Sequence, residues 1–203
     1  MKDLPRKYFG AALLDPPWRF ETYNEAGRSR CPDWRPFTGS PSKHYDTMSA
    51  EEIASLPIAD FMLPDACLFL WISWPMLLEA IALIDRWGFT YKTCAFAWMK
   101  AHIQQIDIFR DDADPLMGNG YWSRANSEVC LLGTRGKPKR LNADVRQGII
   151  EPRREHSRKP DCVHERIERL VAGPYLELFA RQRRKGWTCF GNEVDKFKAM
   201  EAV

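Results

Sequence analysis

The chain has no Cys-x-x-Cys pair, only four histidines, and no apolar run long enough for a membrane span. Its cysteines, Cys31, Cys67, Cys94, Cys130, Cys162 and Cys189, lie far apart, several inside apolar segments. They read as reduced core residues of a cytoplasmic protein, which excludes a disulfide framework and leaves no metal site to expect. The opening Met-Lys-Asp-Leu-Pro-Arg-Lys is too charged for a signal peptide. Internal repeats, low-complexity tracts and an evident linker are also missing, so the 203 residues are expected to form a single domain, 1–203. Net charge is small, +3, and by itself nominates no partner. Its distribution says more. Residues 135–159 carry nine Lys or Arg against three acids, and Arg181, Arg183, Arg184 and Lys185 follow, a pattern suited to phosphate contacts.

What the chain does have is an apolar run, Ala11 to Leu14, that stops at Asp15-Pro16-Pro17-Trp18. A run this short and apolar on every residue fits a strand buried on both faces, with Asp15 where the strand leaves the sheet. Ligands of open α/β sheets bind at the carboxyl ends of strands. The two prolines stiffen the turn and donate no hydrogen bonds, which leaves carbonyl oxygens to accept from a ligand. A carboxylate, a fixed carbonyl and the flat ring of Trp18 together suit a planar base bearing an exocyclic amino group, such as adenine. Holding both amine hydrogens on Asp15 and the Pro16 carbonyl would let that nitrogen become more tetrahedral and attack, with Asp15 stabilising the positive charge and taking up the proton.

Further along, the interval from Arg19 to Lys43 is irregular and Pro-containing, long enough to be a lid or an insertion. Ser49 and Glu52 have the spacing of a helix capping box. Residues 66–72 form a second buried strand, followed by a helix with Leu77, Leu78, Ile81, Leu83 and Ile84 as its apolar face and Gly88 as its end. Phe89 to Met99 and Val129 to Leu132 are further strands, separated by an inserted interval at about 101–121. Trp71 and Trp98 read as core. A helix from Ser157–Asp161 through Leu170 to Gly173, a strand Tyr175 to Ala180, a last pairing segment Trp187 to Glu193 and an amphipathic tail complete the chain. Alternating strands and helices argue an α/β fold with a largely parallel sheet.

The chain resembles the permuted adenine-N(6) methyltransferases typified by the catalytic subunit of the messenger-RNA adenosine methyltransferase, with bacterial and phage DNA-modifying relatives. The resemblance runs through Asp15-Pro16-Pro17-Trp18, His44-Tyr45-Asp46-Thr47-Met48-Ser49, Leu68-Phe69-Leu70-Trp71, Trp98-Met99-Lys100, Glu128 to Gly133, Ser157 to Asp161, Ile167 to Leu170, Glu177 to Arg181 and Gly191-Asn192-Glu193. It implies a class I S-adenosylmethionine-dependent methyltransferase fold, a Rossmann-like three-layer sandwich with permuted motif order, and one methyltransferase domain with inserted loops at about 19–43 and 101–121. The Gly-rich cofactor loop common in other methyltransferases is absent, and Phe179-Ala180-Arg181 stands in its place. The resemblance further implies S-adenosyl-L-methionine held by Asp15, Lys159, Phe179, Arg181, Asn192 and Glu193, with Lys159 on the cofactor carboxylate. Asp15, Pro16, Pro17 and Trp18 would be catalytic, and Trp18, His44, Tyr45, Arg124 and Asn126 would meet the substrate. The implied activity is methylation of adenine in DNA to N(6)-methyladenine, DNA being preferred because small standalone members look like DNA modifiers. RNA, or a catalytically silent nucleic-acid-binding subunit, is the alternative. Oligomeric state is left open.

Overall fold

The computed structural model describes residues 1–19, 47–101, 123, 125–155 and 157–197. Its strands are β1 (Phe9–Leu14), β2 (Met62–Ile72), β3 (Thr90–Ala101), β4 (Ser127–Arg135), β5 (Gly148–Pro152), β6 (Tyr175–Leu178) and β7 (Trp187–Phe190). They form one seven-stranded sheet in the order β5-β3-β4-β2-β1-β6-β7. Neighbours are parallel except at β4, which runs antiparallel to both β2 and β3. The helices are α1 (Ala50–Ala54), α2 (Ile58–Phe61), α3 (Leu77–Arg86) and α4 (Cys162–Leu170).

Strand alternation sends successive side chains to opposite faces. On one face Ala12, Leu14, Leu68, Leu70 and Ile72 pack with Ile53, Ile58 and Ile84 from α1, α2 and α3. On the other, Ala11, Leu13, Phe69 and Trp71 pack with Val163 and Ile167 of α4. Helices thus cover both faces, which is why β1 and the second half of β2 are apolar at every position. This is the three-layer α/β sandwich expected.

Local signals mostly hold. Ser49 Oγ accepts from the Glu52 backbone N–H at 3.2 Å, and Glu52 Oε2 accepts from the Ser49 N–H at 2.7 Å, so the capping box forms. Gly88, at φ +76°, closes α3 as expected. Leu78 departs from expectation. The sequence pattern puts it on the apolar face of this helix, yet it is 78% exposed, because Ala80, Leu83 and Ile84 define the buried stripe and Leu78 lies across the axis from them. The edge strand β5 was not expected. It sits inside the basic segment and buries Ile149 while exposing Ile150.

Topology fixes the site. From β1 the chain goes to β2 on one side, and from β6 it goes to β7 on the other, so the direction of winding reverses between the adjacent strands β1 and β6. A crevice opens at the carboxyl ends of such a pair. Leu14 pairs with Leu178, and Asp15 and Phe179 therefore leave the sheet side by side. The expected insertions at about 19–43 and 101–121 fall on residues 20–46 and 102–122, outside the described set apart from Arg19 and Ala101. Among the described residues no helix is long and apolar enough to cross a membrane.

Candidate active site

The Asp15 turn is clamped by backbone. Met48 N–H donates to the Pro17 carbonyl at 2.8 Å and Arg19 N–H donates to the Met48 carbonyl at 2.9 Å. The Pro16 carbonyl, expected to be free, accepts the Trp18 N–H at 2.9 Å, which leaves its second lone pair. Trp18 differs more. Its ring was expected to stack on a base, but it is 5% exposed, packed in the core, with Nε1 donating to the Trp71 carbonyl at 3.0 Å. An indole that satisfies its only donor inside the core anchors the turn and offers no open face here.

Asp15 lies in a chain of alternating charge. Lys159 Nζ is 2.8 Å from Asp15 Oδ2 and 3.1 Å from Glu128 Oε2, and Lys100 Nζ is 2.5 Å from Glu128 Oε1. The Lys159 ammonium also stands 5.5 Å from the centre of the Trp71 ring. These groups come from four places: Asp15 after β1, Lys100 near the end of β3, Glu128 at the start of β4, and Lys159 before α4. Because β4 is antiparallel, its beginning lies at the same edge as the ends of its neighbours. Sequence reading missed the partnership of Glu128 and Lys100, since only that reversal brings them together.

Burial sets the ionisation of these groups. It holds the Asp15 carboxyl above the ordinary carboxylate range; Lys159 pulls it down, and the charge of Glu128 pushes it up again. Burial also opposes the charge on Glu128, but the Lys159 and Lys100 ammoniums outweigh it and bring its pKa down to about 2. Lys159, despite its burial, is held above its usual value by the two carboxylates.

The crevice is an open cleft of about 510 Å³, the solvent in its mouth included. Asp15, Lys159, Phe179 and Arg181, all expected to bind a cofactor, line it. Phe179 takes a left-handed φ of +62°, an uncommon conformation for a residue with a Cβ. Gly191 packs on that turn so closely that a Cβ would lie 2.4 Å from the Ala180 carbonyl oxygen. Asn192 and Glu193, also expected at the cofactor, do not line the cleft; Glu193 Oε2 lies 3.5 Å from Nε of Arg181, which does. The Lys159 turn is braced from below: Arg154 pairs with Asp161 and donates to the Lys159 carbonyl at 3.0 Å, and Arg158 joins Asp161 and Glu155.

Among the described residues, the buried side-chain polar atoms without a hydrogen-bond partner are Trp71 Nε1, Trp87 Nε1, Arg158 Nε, His164 Nδ1 and Gln182 Oε1. All except Trp87 belong to residues lining this cleft. Each such atom costs about 1–3 kcal/mol when left unmade, so their concentration here marks a place built for a polar ligand. His164, whose Nε2 is 2.9 Å from Glu177 Oε2, was not singled out from sequence.

Other expected residues fall elsewhere. Asn126 sits at the same edge, its carbonyl accepting the Lys100 N–H at 3.0 Å. His44, Tyr45 and Arg124 lie outside the described residues. The basic run does not form one patch. Arg135 is at the opposite edge, bound to backbone carbonyls, while Arg183 pairs with Asp195 and Arg184 with Glu165 and Glu168. No group of three or more metal-ligating side chains occurs among the described residues.

A mixed α/β sheet with a ligand cleft at the reversal point and an acid-Pro-Pro turn on its lip is the class I methyltransferase architecture. The chain belongs to the MT-A70 family, whose model matches residues 9–193. It is similar to the Type II methyltransferase M.MunI of Mycoplasma sp, 30% identical over 201 residues covering 94% of this chain and 80% of that protein. It is also similar to an N(6)-adenosine-methyltransferase MT-A70-like protein of Arabidopsis thaliana, 27% identical over 92% of this chain and 24% of that protein. The human N(6)-adenosine-methyltransferase catalytic subunit METTL3 is 26% identical over 92% of this chain and 28% of its own length. The chain thus spans most of the first relative and about a quarter of the other two.

Proposed function

We propose that this protein uses S-adenosyl-L-methionine to methylate the exocyclic amine of adenine in DNA, giving N(6)-methyladenine. The observation that carries the reading is the Asp15-Pro16 turn on the lip of the β1/β6 cleft, with Lys159 against its carboxylate. DNA is favoured because the similarity extends over 80% of a protein named as a Type II methyltransferase.

The residues present fit the cofactor. Lys159 and Arg181 are cations for its carboxylate, Asn192 and Glu193 are polar partners for its hydroxyls, and the orphaned atoms of Trp71, Arg158, His164 and Gln182 offer donors and an acceptor around it. The cofactor supplies an electrophilic methyl group with a neutral leaving group, so the chain has to align reactants and manage one proton. Asp15 accepts one hydrogen of the adenine amine and the second lone pair of the Pro16 carbonyl accepts the other. As the nitrogen gains positive charge the Asp15 carboxylate stabilises it, then takes its proton. Glu128, pinned by Lys100, draws Lys159 partly away from Asp15, which keeps that carboxylate basic enough for the task. Buried Trp18 holds the turn in register.

The test is transfer of labelled methyl to unmethylated duplex DNA, single-stranded DNA and RNA in parallel, with nucleoside analysis and Asp15→Ala as control. N(6)-methyladenine in DNA that vanishes with Asp15→Ala is the expected result. Product in RNA alone would move the substrate. No transfer and no cofactor binding would leave a silent nucleic-acid-binding subunit.

A further inference from the structure

With Trp18 in the core, the described residues still present exposed rings at the carboxyl edge: Phe190 at the end of β7, beyond β6, and Trp74 on the other side of β1. Trp74, just past the end of β2, is 49% exposed, and its Nε1 donates to Ser127 Oγ at 3.1 Å. Ser127 is the first residue of β4, and Ile72 pairs with Val129 there, so Trp74 stands on the edge that carries Asp15. β2 is the immediate neighbour of β1, with Leu70 beside Leu14. The indole is thus held by a hydrogen bond while about half of the residue stays exposed, a state that lowers the entropy lost when a flat partner stacks on it.

A second group stands on the same edge. Arg153 follows Pro152, the last residue of β5, which pairs with Ala101 at the end of β3. It is exposed and has no hydrogen-bond or ion-pair partner among the described residues, whereas Arg154 and Arg158 are both spent on Asp161. β5 lies three strands from β2, so Trp74 and Arg153 are separated by about 14 Å along the edge at roughly 4.8 Å per strand. That is about four steps of a nucleic-acid strand at its rise of about 3.4 Å.

We propose that Trp74 and Arg153 form the rim on which the substrate strand lies, Trp74 stacking on a base beside the target adenine and Arg153 meeting a backbone phosphate. This rests on the nucleic-acid reading above and deepens it. Arginine beside an aromatic platform suits a polyanion whose every unit has a flat face. A protein partner would use Trp74 with the exposed Leu78 and would have no need of Arg153.

The test uses the full chain with Trp74→Ala, Trp74→Phe and Arg153→Gln. Measured on each are DNA binding by fluorescence anisotropy against salt, methyl-transfer kinetics, cofactor affinity and melting temperature. Trp74→Ala should raise the Kd and KM for DNA by about 5- to 150-fold, the range for losing one stacked base, with cofactor affinity unchanged. Trp74→Phe, which keeps a ring, should recover most of that loss. Arg153→Gln should reduce the salt slope of log K by about one. Unchanged DNA affinity and salt slope in folded variants would overturn the proposal. So would an effect of Trp74→Ala on self-association alone, seen by light scattering. Wild-type protein that binds DNA through these residues but transfers no methyl would refute the enzymatic reading and leave the rim standing.

Discussion

The two edges of the sheet use basic residues in opposite ways. At the amino edge, Arg135 sends its guanidinium to the backbone carbonyls of Ala59, Met62 and Leu63, and Asp65 accepts the Lys137 N–H at 2.7 Å. Gly136 is held there at φ +63°, where a Cβ would lie against Asp65. Charge at that end is consumed by the fold. At the carboxyl edge Lys100 and Lys159 are paired with carboxylates, and four of the orphaned polar atoms belong to residues that line the cleft with Lys159. An arginine whose donors all end on backbone is a brace; a lysine shared between two carboxylates, beside unsatisfied donors, is part of a site.

That contrast can be broken at its strongest point first. Asp15→Ala should lower kcat by about 10²–10⁴-fold, the usual worth of a positioned base, while the melting temperature stays near wild type. At the opposite edge Arg135→Met should do the reverse. It strands buried carbonyls and should cost about 2–3 kcal/mol in denaturant unfolding, with kcat of the folded protein unchanged. Loss of activity at equal stability in Arg135→Met would erase the distinction between the edges.

Smaller effects sharpen it. Gly191→Ala drives a Cβ into the Ala180 backbone, so the Phe179–Arg181 turn has to move. Cofactor affinity measured by calorimetry should fall about tenfold, with about 1–3 kcal/mol lost in stability. The finest test is Glu128→Gln. Glu128 raises the Asp15 pKa, both by its own charge and by sharing Lys159. Neutralising it leaves Lys159 to Asp15 alone and lowers that pKa. Because Asp15 has to be ionised, the acid limb of the kcat/KM profile should move to lower pH. Disappearance of the limb in Glu128→Gln would show that Glu128, not Asp15, is the titrating group.

The Asp15 turn was legible because its evidence is local: an apolar run, a carboxylate and two prolines in succession. The layers were legible for the same reason, since β1 and the 66–72 run announce burial on both faces. Partnerships set by topology were not. Glu128 and Lys100 are 28 residues apart in sequence, and nothing short of an antiparallel strand between parallel ones puts them on one edge. The orientation of Trp18 was also hidden, because an aromatic after two prolines serves equally as core or platform until Trp71 supplies its acceptor. β5 escaped notice because an edge strand with one deeply buried residue hardly differs from a surface loop in composition.

The pairing of Trp18 with Met48 has a consequence for how such a chain can change. Residues 17–19 and 48 are tied by backbone hydrogen bonds alone, which no substitution outside proline removes. The stem of the Asp15 turn is thus written in main chain, so side-chain changes at 19 and 48 should leave the carboxylate of Asp15 in place.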